Sequence, residues 1–143
     1  MIVLTRISLI NLKNNRMDKL EYIPGDLAFH YIPKTIIKKY VKVYVCSTQN
    51  ALSLEDMDGN LYDYIGELYP IPLTPEILEK NGWREEKGDY INDNYHIKLC
   101  EKIDGYSAYK VVNDTIVWLR DVKSVSNLQH LLFGLGLNSE MEV

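Results

Sequence analysis

Leu73-Thr74-Pro75-Glu76-Ile77-Leu78-Glu79-Lys80-Asn81-Gly82-Trp83 reads as one short helix with both ends written into the sequence. Thr74 suits the N-cap, where its hydroxyl accepts a hydrogen bond from an amide one turn on. Pro75 at the first helical position brings a φ already fit for a helix, and Glu76 complements the positive end of the dipole. Asn81-Gly82 ends the helix. With Gly82 left-handed after the cap, Trp83 folds back on Leu78 in the apolar contact of a Schellman ending, so Trp83 reads as a packing anchor.

Downstream the spacing predicts a three-stranded meander and a second helix. A two-residue turn at Asp104-Gly105 puts Ile97, Leu99 and Ile103 on one face with Tyr106, Ala108 and Val112. Asn113-Asp114 then turns the chain into Thr115-Ile116-Val117-Trp118-Leu119, which adds Val117 and Leu119 to that core face. The opposite face holds Cys100, Tyr109, Val111, Ile116 and Trp118, apolar enough to call for a cover. Ser126-Asn127-Leu128-Gln129 fits a capping box, and Val125, Leu128, Leu131, Leu132 and Leu135 follow on one stripe. Gly134 and Gly136 end this helix, and Glu140 to Val143 is expected to add a short strand with Met141 and Val143 inward.

Upstream, Leu68-Tyr69-Pro70-Ile71-Pro72 cannot be a central strand, because each proline removes a ladder donor. It marks a boundary. Lys39 to Cys46 alternates, with Tyr40, Lys42 and Tyr44 on one face and Val41, Val43 and Val45 on the other, the pattern of a half-buried strand. Asp26 to Tyr31 is a shorter candidate. Asp58-Gly59 between Ala51 to Leu54 and Leu61 to Ile65 suggests a type I′ hairpin. The fold expected is α+β and strand-rich: a small β-barrel-like unit over residues 17–70, then a helix, an antiparallel meander and a C-terminal helix over 71–143.

The opening run Met1 to Ile10 carries a charge inside a short apolar stretch and no small-residue cleavage site follows, so it is not read as a signal peptide. It is too short to span a bilayer. Met17-Asp18-Lys19-Leu20 reads as the true start, with residues 1–16 a dispensable extension. The 143 residues carry a net charge of -4, and 46% of them are hydrophobic. That composition belongs to a globular chain, and its sign disfavours nucleic acid, whose binding rests on cations that neutralise phosphates. Eleven Tyr against two Phe suit half-buried positions on sheets with one wet face. Cys46 and Cys100 read as buried thiols in a reducing cytoplasm.

The run Tyr69 to Trp83, the segment Asn94-Tyr95-His96-Ile97 and Val125-Ser126-Asn127-Leu128-Gln129-His130-Leu131 together resemble small uncharacterised proteins encoded in prophages and mobile elements of gut anaerobes. The likeness covers about the last half of the chain. It implies a small SH3-like barrel for the first half, but supplies no activity, ligand or catalytic residue. Those relatives commonly open the final helix with Val-His, and this chain has Ser126 in place of the His.

The residues offer few sharp chemical sites. Asp56, Asp58, Asn60 and Glu67 imitate positions of a calcium loop, but Leu61 stands where its sharp turn needs Gly, so a solvated hairpin tip is the reading. His30, His96 and His130 have no partner at metal-ligand spacing and read as structural or exposed. Lys34, Lys38, Lys39 and Lys42 with Tyr40 and Tyr44, and Tyr31 nearby, form the one recognition patch: lysines for phosphates, tyrosines to stack on bases. The same lysines also suit a charged strand that resists edge pairing. No nucleophile has a base near it in sequence, and no catalytic residue, metal or cofactor is expected. The function expected is a non-enzymatic accessory or adaptor role in a phage or mobile element, through contact with a protein partner and without a membrane. A small nucleic-acid-binding module using Lys34 to Tyr44 is second.

A chain beginning at Met17 is expected to keep its melting temperature, measured by circular dichroism. A loss of many degrees would make Ile2 to Ile10 an integral strand.

Overall fold

The computed structural model describes residues 22–46, 52–64 and 66–143. The expectations for residues 1–16, and for Ala51 and Ile65 in the first hairpin, fall outside them. The chain divides into two compact units, residues 1–70 and 71–143. Among the described residues each contains one antiparallel sheet, and the second also contains two helices, an α+β architecture rich in strand.

Among the described residues the first unit is a four-stranded meander of β1 (Leu27–Tyr31), β2 (Lys38–Cys46), β3 (Leu52–Asp56) and β4 (Leu61–Tyr64), paired in that order. Tyr69 adds one bridge outside β1: Phe29 N–H donates to its carbonyl at 3.0 Å and its N–H donates back at 2.8 Å. Pro70, with no N–H, cannot extend that bridge. No pairing between β4 and the opposite edge closes a barrel among the described residues. Alternation sends Ala28, Val41, Val43 and Leu54 inward, where they pack with Tyr22 and Leu68 and against Tyr62 and Tyr64. The side chain of Val45, expected on that face, is outside the description.

The β3–β4 hairpin differs from the type I′ turn expected. Asp56 N–H donates to Asn60 O at 2.9 Å and Gly59 N–H to Asp56 O at 3.0 Å, enclosing a loop of Met57, Asp58 and Gly59. Of these, only Gly59 has positive φ, +87°. This is the three-residue loop that ends in a left-handed glycine, so one position rather than two needs the special conformation.

The second unit begins with α1 (Pro75–Lys80). Thr74 Oγ1 accepts from Ile77 N–H at 3.3 Å. Gly82 has φ +88°, its N–H bonds Glu79 O, and Trp83 N–H bonds Leu78 O at 3.0 Å, completing the Schellman motif. Trp83 is buried. Five strands follow rather than three: β5 (Arg84–Glu86), β6 (Asp89–Asn92), β7 (Ile97–Lys102), β8 (Gly105–Val112) and β9 (Thr115–Val122), in that order across the sheet. The extra hairpin turns at Lys87-Gly88, both with positive φ. Lysine is an unusual occupant of such a turn, which is why the sequence does not announce it.

The β7–β8 turn lies one residue earlier than expected, which slips the strand pairing by two. Lys102 pairs with Gly105, so Ile103-Asp104 is the loop and Ile103 projects into solvent. A slip of two keeps every face, so Ile97, Leu99, Tyr106 and Ala108 are buried as expected. Gly105 has φ +120°, and a Cβ there would sit 2.8 Å from Val122 O. Asn113 and Asp114 both have positive φ and form the β8–β9 turn, with Val112 opposite Thr115. Val117 and Leu119 do not join the core: Val117, opposite Lys110, keeps the expected face but is exposed, while Tyr109 pairs with Trp118 and Ala108 with Arg120, so Leu119 is the extra residue of a bulge and the faces exchange there. Val117 and Val112 are exposed, and Val122 takes the buried position.

The last helix, α2 (Val125–Gly134), starts two residues earlier than its sequence suggests. Ser124 is the N-cap, its Oγ accepting from Asn127 N–H at 3.1 Å, while Asn127 Oδ1 accepts from Lys123 N–H at 3.1 Å. Pairing with the Ile71–Leu73 segment decides this. Val125 N–H donates to Ile71 O at 2.9 Å, and Ser124 bridges Pro72, which holds Ser124 extended. Val125, Leu128 and Leu132 are buried, as is Leu78 of α1, while Leu131 is half-buried and Leu135 exposed. Gly136, with φ +74°, ends the helix. The tail is not a strand. Instead, Asn81 acts as its partner: Nδ2 donates to Glu142 O and Oδ1 accepts from Glu142 N–H, both at 2.8 Å.

Ser124→Ala is expected to lower stability by about 0.5–2 kcal/mol, the usual cost of a lost cap. Ser126→Ala should cost less. Urea unfolding of the two variants decides it, and a larger loss at Ser126 would return the cap to the later serine.

Candidate functional site

The β1–β2 hairpin builds the candidate site. Directly opposite residues share a face, so Tyr31 with Lys38, Phe29 with Tyr40, and Leu27 with Lys42 line the side away from the core. The Tyr69 bridge brings a further ring: Phe29 and Tyr69 stack with centroids 5.6 Å apart, and Tyr31 meets Tyr69 edge-on at 5.5 Å. Phe29 also meets Tyr31 and Tyr40 edge-on at 5.7 and 6.3 Å. Edge-to-face and offset rings at these separations attract beyond their area burial, so the cluster is a fixed surface. Tyr31, Tyr40 and Tyr69 remain partly exposed, and Tyr44 is more exposed still. Register shifts between Val43 and Val45, and Tyr44 is the extra residue of that bulge.

The hairpin tip adds two isoleucines. Ile32 N–H donates to Ile37 O at 2.9 Å, and Thr35 Oγ1 donates to Ile32 O at 2.8 Å and accepts from Ile37 N–H at 3.1 Å. This bonding holds the turn together while leaving Ile36 at 91% exposure and Ile37 at 57%. Neither isoleucine belongs to the strand alternation, and the adjacent pair between Thr35 and Lys38 was the available signal.

The six residues of the sequence-derived patch do not form one surface. Lys38, Tyr40, Lys42 and Tyr44 project on the aromatic side. Lys34 lies in the tip with φ +64°. Lys39 points the other way, with Nζ 3.4 Å from Asp56 Oδ2 and 4.7 Å from the Tyr62 ring centroid. On the aromatic side, Lys38 Nζ sits 5.0 Å from the Phe29 centroid and Lys42 stands opposite Glu55. Much of the positive charge already faces a ring or a carboxylate within the same sheet.

The other side of this sheet holds a polar cluster with no signature in the sequence. His30, 4% exposed, has Nδ1 3.1 Å from Tyr31 O and Nε2 2.8 Å from the Tyr62 hydroxyl, and its ring lies 4.4 Å from that of Tyr64. A carbonyl can only accept, so Nδ1 carries the proton and Nε2 accepts from Tyr62. Burial lowers the His30 pKa, and the nearby Lys39 charge adds to this, although the Tyr31 carbonyl opposes it. Burial likewise raises the Tyr62 hydroxyl. A neutral, satisfied and enclosed imidazole positions β1 against β4; it is not arranged to meet a reactant.

The imitation calcium loop is bonded as a turn. Asp56 Oδ1 accepts from the amides of Asp58 and Asn60 at 3.0 and 2.9 Å, and Oδ2 from Asn60 Nδ2 at 3.2 Å. Those amides hold its carboxyl below the usual range. Among the described residues no three His, Cys, Asp or Glu side chains gather to hold a metal. Cys100 is half-buried and burial pushes its thiol up, away from the reactive thiolate. His96 contributes its backbone: with φ +56°, its carbonyl accepts from Val111 N–H at 2.8 Å and extends the β7–β8 pairing. No helix among the described residues is long and apolar enough to cross a membrane. No known protein family, curated protein or solved structure matches this chain.

The buried His30 predicts a pH dependence. Its folded pKa lies below the unfolded value of 6.5, so the unfolded chain binds the proton first. This contribution to stability is complete above that value and is lost as the pH falls toward the folded pKa. Asp56 acts in a separate window below its ordinary 3.8. Urea midpoints of the parent should fall between pH 7.5 and pH 5, and His30→Gln should flatten that slope. An equal slope in both proteins would remove His30 as its source.

Proposed function

We propose that this chain is a non-enzymatic adaptor that binds a protein partner through the aromatic side of the β1–β2 hairpin and its isoleucine tip. The observation that carries the reading is the exposed pair Ile36 and Ile37 on a turn bonded within itself, beside the ordered cluster of Phe29, Tyr31, Tyr40 and Tyr69. A fixed surface of tyrosines and apolar tips suits protein contact, since aromatic anchors lose little rotamer freedom on binding and lysine is sparse at interface centres. The resemblance of the second half to prophage and mobile-element proteins supports an accessory role in such an element, and the SH3-like character implied for the first half belongs to the same proposal.

Nucleic-acid binding is the second reading, favoured by Lys38 and Lys42 beside Tyr40 and Tyr44. The pairing of Lys42 with Glu55, the Lys39–Asp56 ion pair and the chain's net charge of -4 weigh against it.

Co-expression with the products of neighbouring genes is expected to yield a complex that Ile36→Asp with Tyr40→Ala disrupts at least tenfold, the scale of losing about 1.4 kcal/mol at an interface centre. Lys38→Ser with Lys42→Ser should alter it far less. Salt-sensitive sub-micromolar binding of single- or double-stranded nucleic acid, abolished by the lysine pair, would replace the adaptor reading with the second one.

A further inference from the structure

The two edges of the second sheet are treated differently. β5 is three residues long, Arg84-Glu85-Glu86, all charged and exposed, the form by which an edge resists pairing. β9 is eight residues long and no strand among the described residues pairs its outer side. Its first five residues, Thr115-Ile116-Val117-Trp118-Leu119, carry no charge, and Ile116, Val117 and Trp118 are 53%, 51% and 57% exposed. That is an apolar edge whose protections, the Leu119 bulge and the charge of Arg120, come only after its exposed residues.

The register determines which backbone groups it presents. Val112 and Thr115 flank a two-residue turn and form a hydrogen-bonded pair; alternation then makes Val111 with Ile116 a non-bonded pair, Lys110 with Val117 a bonded one, and Tyr109 with Trp118 a non-bonded one. The N–H and C=O groups of Ile116 and Trp118 therefore face away from β8. The side chains of the same two residues lie on the outer face of the sheet with Tyr109 and Val111.

We infer that the β9 edge pairs antiparallel with the β9 edge of a second copy of this chain, about a two-fold axis at Val117. In that register Ile116 of each copy lies opposite Trp118 of the other, and both residues already point their backbone groups outward, so each pair forms two main-chain hydrogen bonds. The side chains make two identical β-branched–aromatic pairs, a favourable cross-strand combination. The charges also select a second copy. The uncharged segment is bounded by Asp114 at one end and Arg120 at the other, so antiparallel pairing brings each carboxylate end beside the other copy's guanidinium end. Parallel pairing would set like charges together. Residue i meeting j while j meets i is the signature of an isologous contact.

Sedimentation equilibrium of the full chain over a wide concentration range is expected to show a reversible monomer–dimer equilibrium. Ile116→Lys and Trp118→Glu should each weaken it at least about tenfold, because each puts one charge against an apolar partner. The chain carrying both changes should recover part of the loss, since the introduced ammonium of one copy then faces the introduced carboxylate of the other. Amide exchange in the parent supplies a readout that needs no variant: the Ile116 and Trp118 amides should gain protection as concentration rises, while the Val117 amide is protected throughout. A monomer at every concentration, or a dimer indifferent to both single changes, overturns the inference. Protection of the Ile116 and Trp118 amides that is independent of concentration would give the edge to another segment of the same chain and overturn it equally.

Discussion

One extra residue in β9 governs how the second sheet distributes its apolar side chains. Strand side chains alternate with period two, so a single inserted residue reverses the sense of all that follow. Before Leu119 the strand runs in register with Tyr109 and Lys110; after it, Arg120 and Val122 face Ala108 and Tyr106. Without the bulge Val122 would leave the core face and the turn-proximal half of β9 could not be reconciled with its C-terminal half. With it, Val122 is fully buried on the same face as Tyr106 and Ala108.

Backbone bonds at the chain's crossings do the rest of the positioning. The segment Ile71–Leu73 lies beside Lys123–Val125, so the entry to α1 and the entry to α2 are fixed by one short stretch of extended pairing. The cap of α2 follows from it, because a serine held extended can receive the Asn127 amide while one already in the helix cannot. In the first unit the Tyr69 bridge plays the corresponding role. Two hydrogen bonds to Phe29 deliver a tyrosine from outside the meander into the aromatic cluster.

The two sides of the first sheet differ in how far their polar and aromatic groups are enclosed. The inner side contains aliphatic residues together with His30, Tyr62, Tyr64, Lys39 and Asp56, whose polar atoms largely satisfy one another. The outer side contains rings packed well enough to be ordered and too shallowly to be covered. Strand alternation separates Lys39 from Lys38 and Lys42, because residues an odd number apart along a strand point to opposite faces.

The sequence by itself determined the features whose causes are local. The Thr74 cap, the Gly82 ending with Trp83 folded back, the turn at Asn113-Asp114, the end of α2 near Gly134 and Gly136, and the strand over Val41 and Val43 each rest on a few adjacent residues and their own conformational preferences. Sites legible in the sequence went only as far as strand alternation carried them, which brought together Lys38, Tyr40, Lys42 and Tyr44. Tertiary structure decided whatever depends on a partner distant in the chain: the choice of Ser124 over Ser126, the Ile103-Asp104 loop, the bulge at Leu119, the pinning of the tail by Asn81 and the meeting of His30 with Tyr62. Turn propensity permits several neighbouring registers, and a bulge leaves no residue signature of its own. Only the competition of whole strands for a common core selects among them.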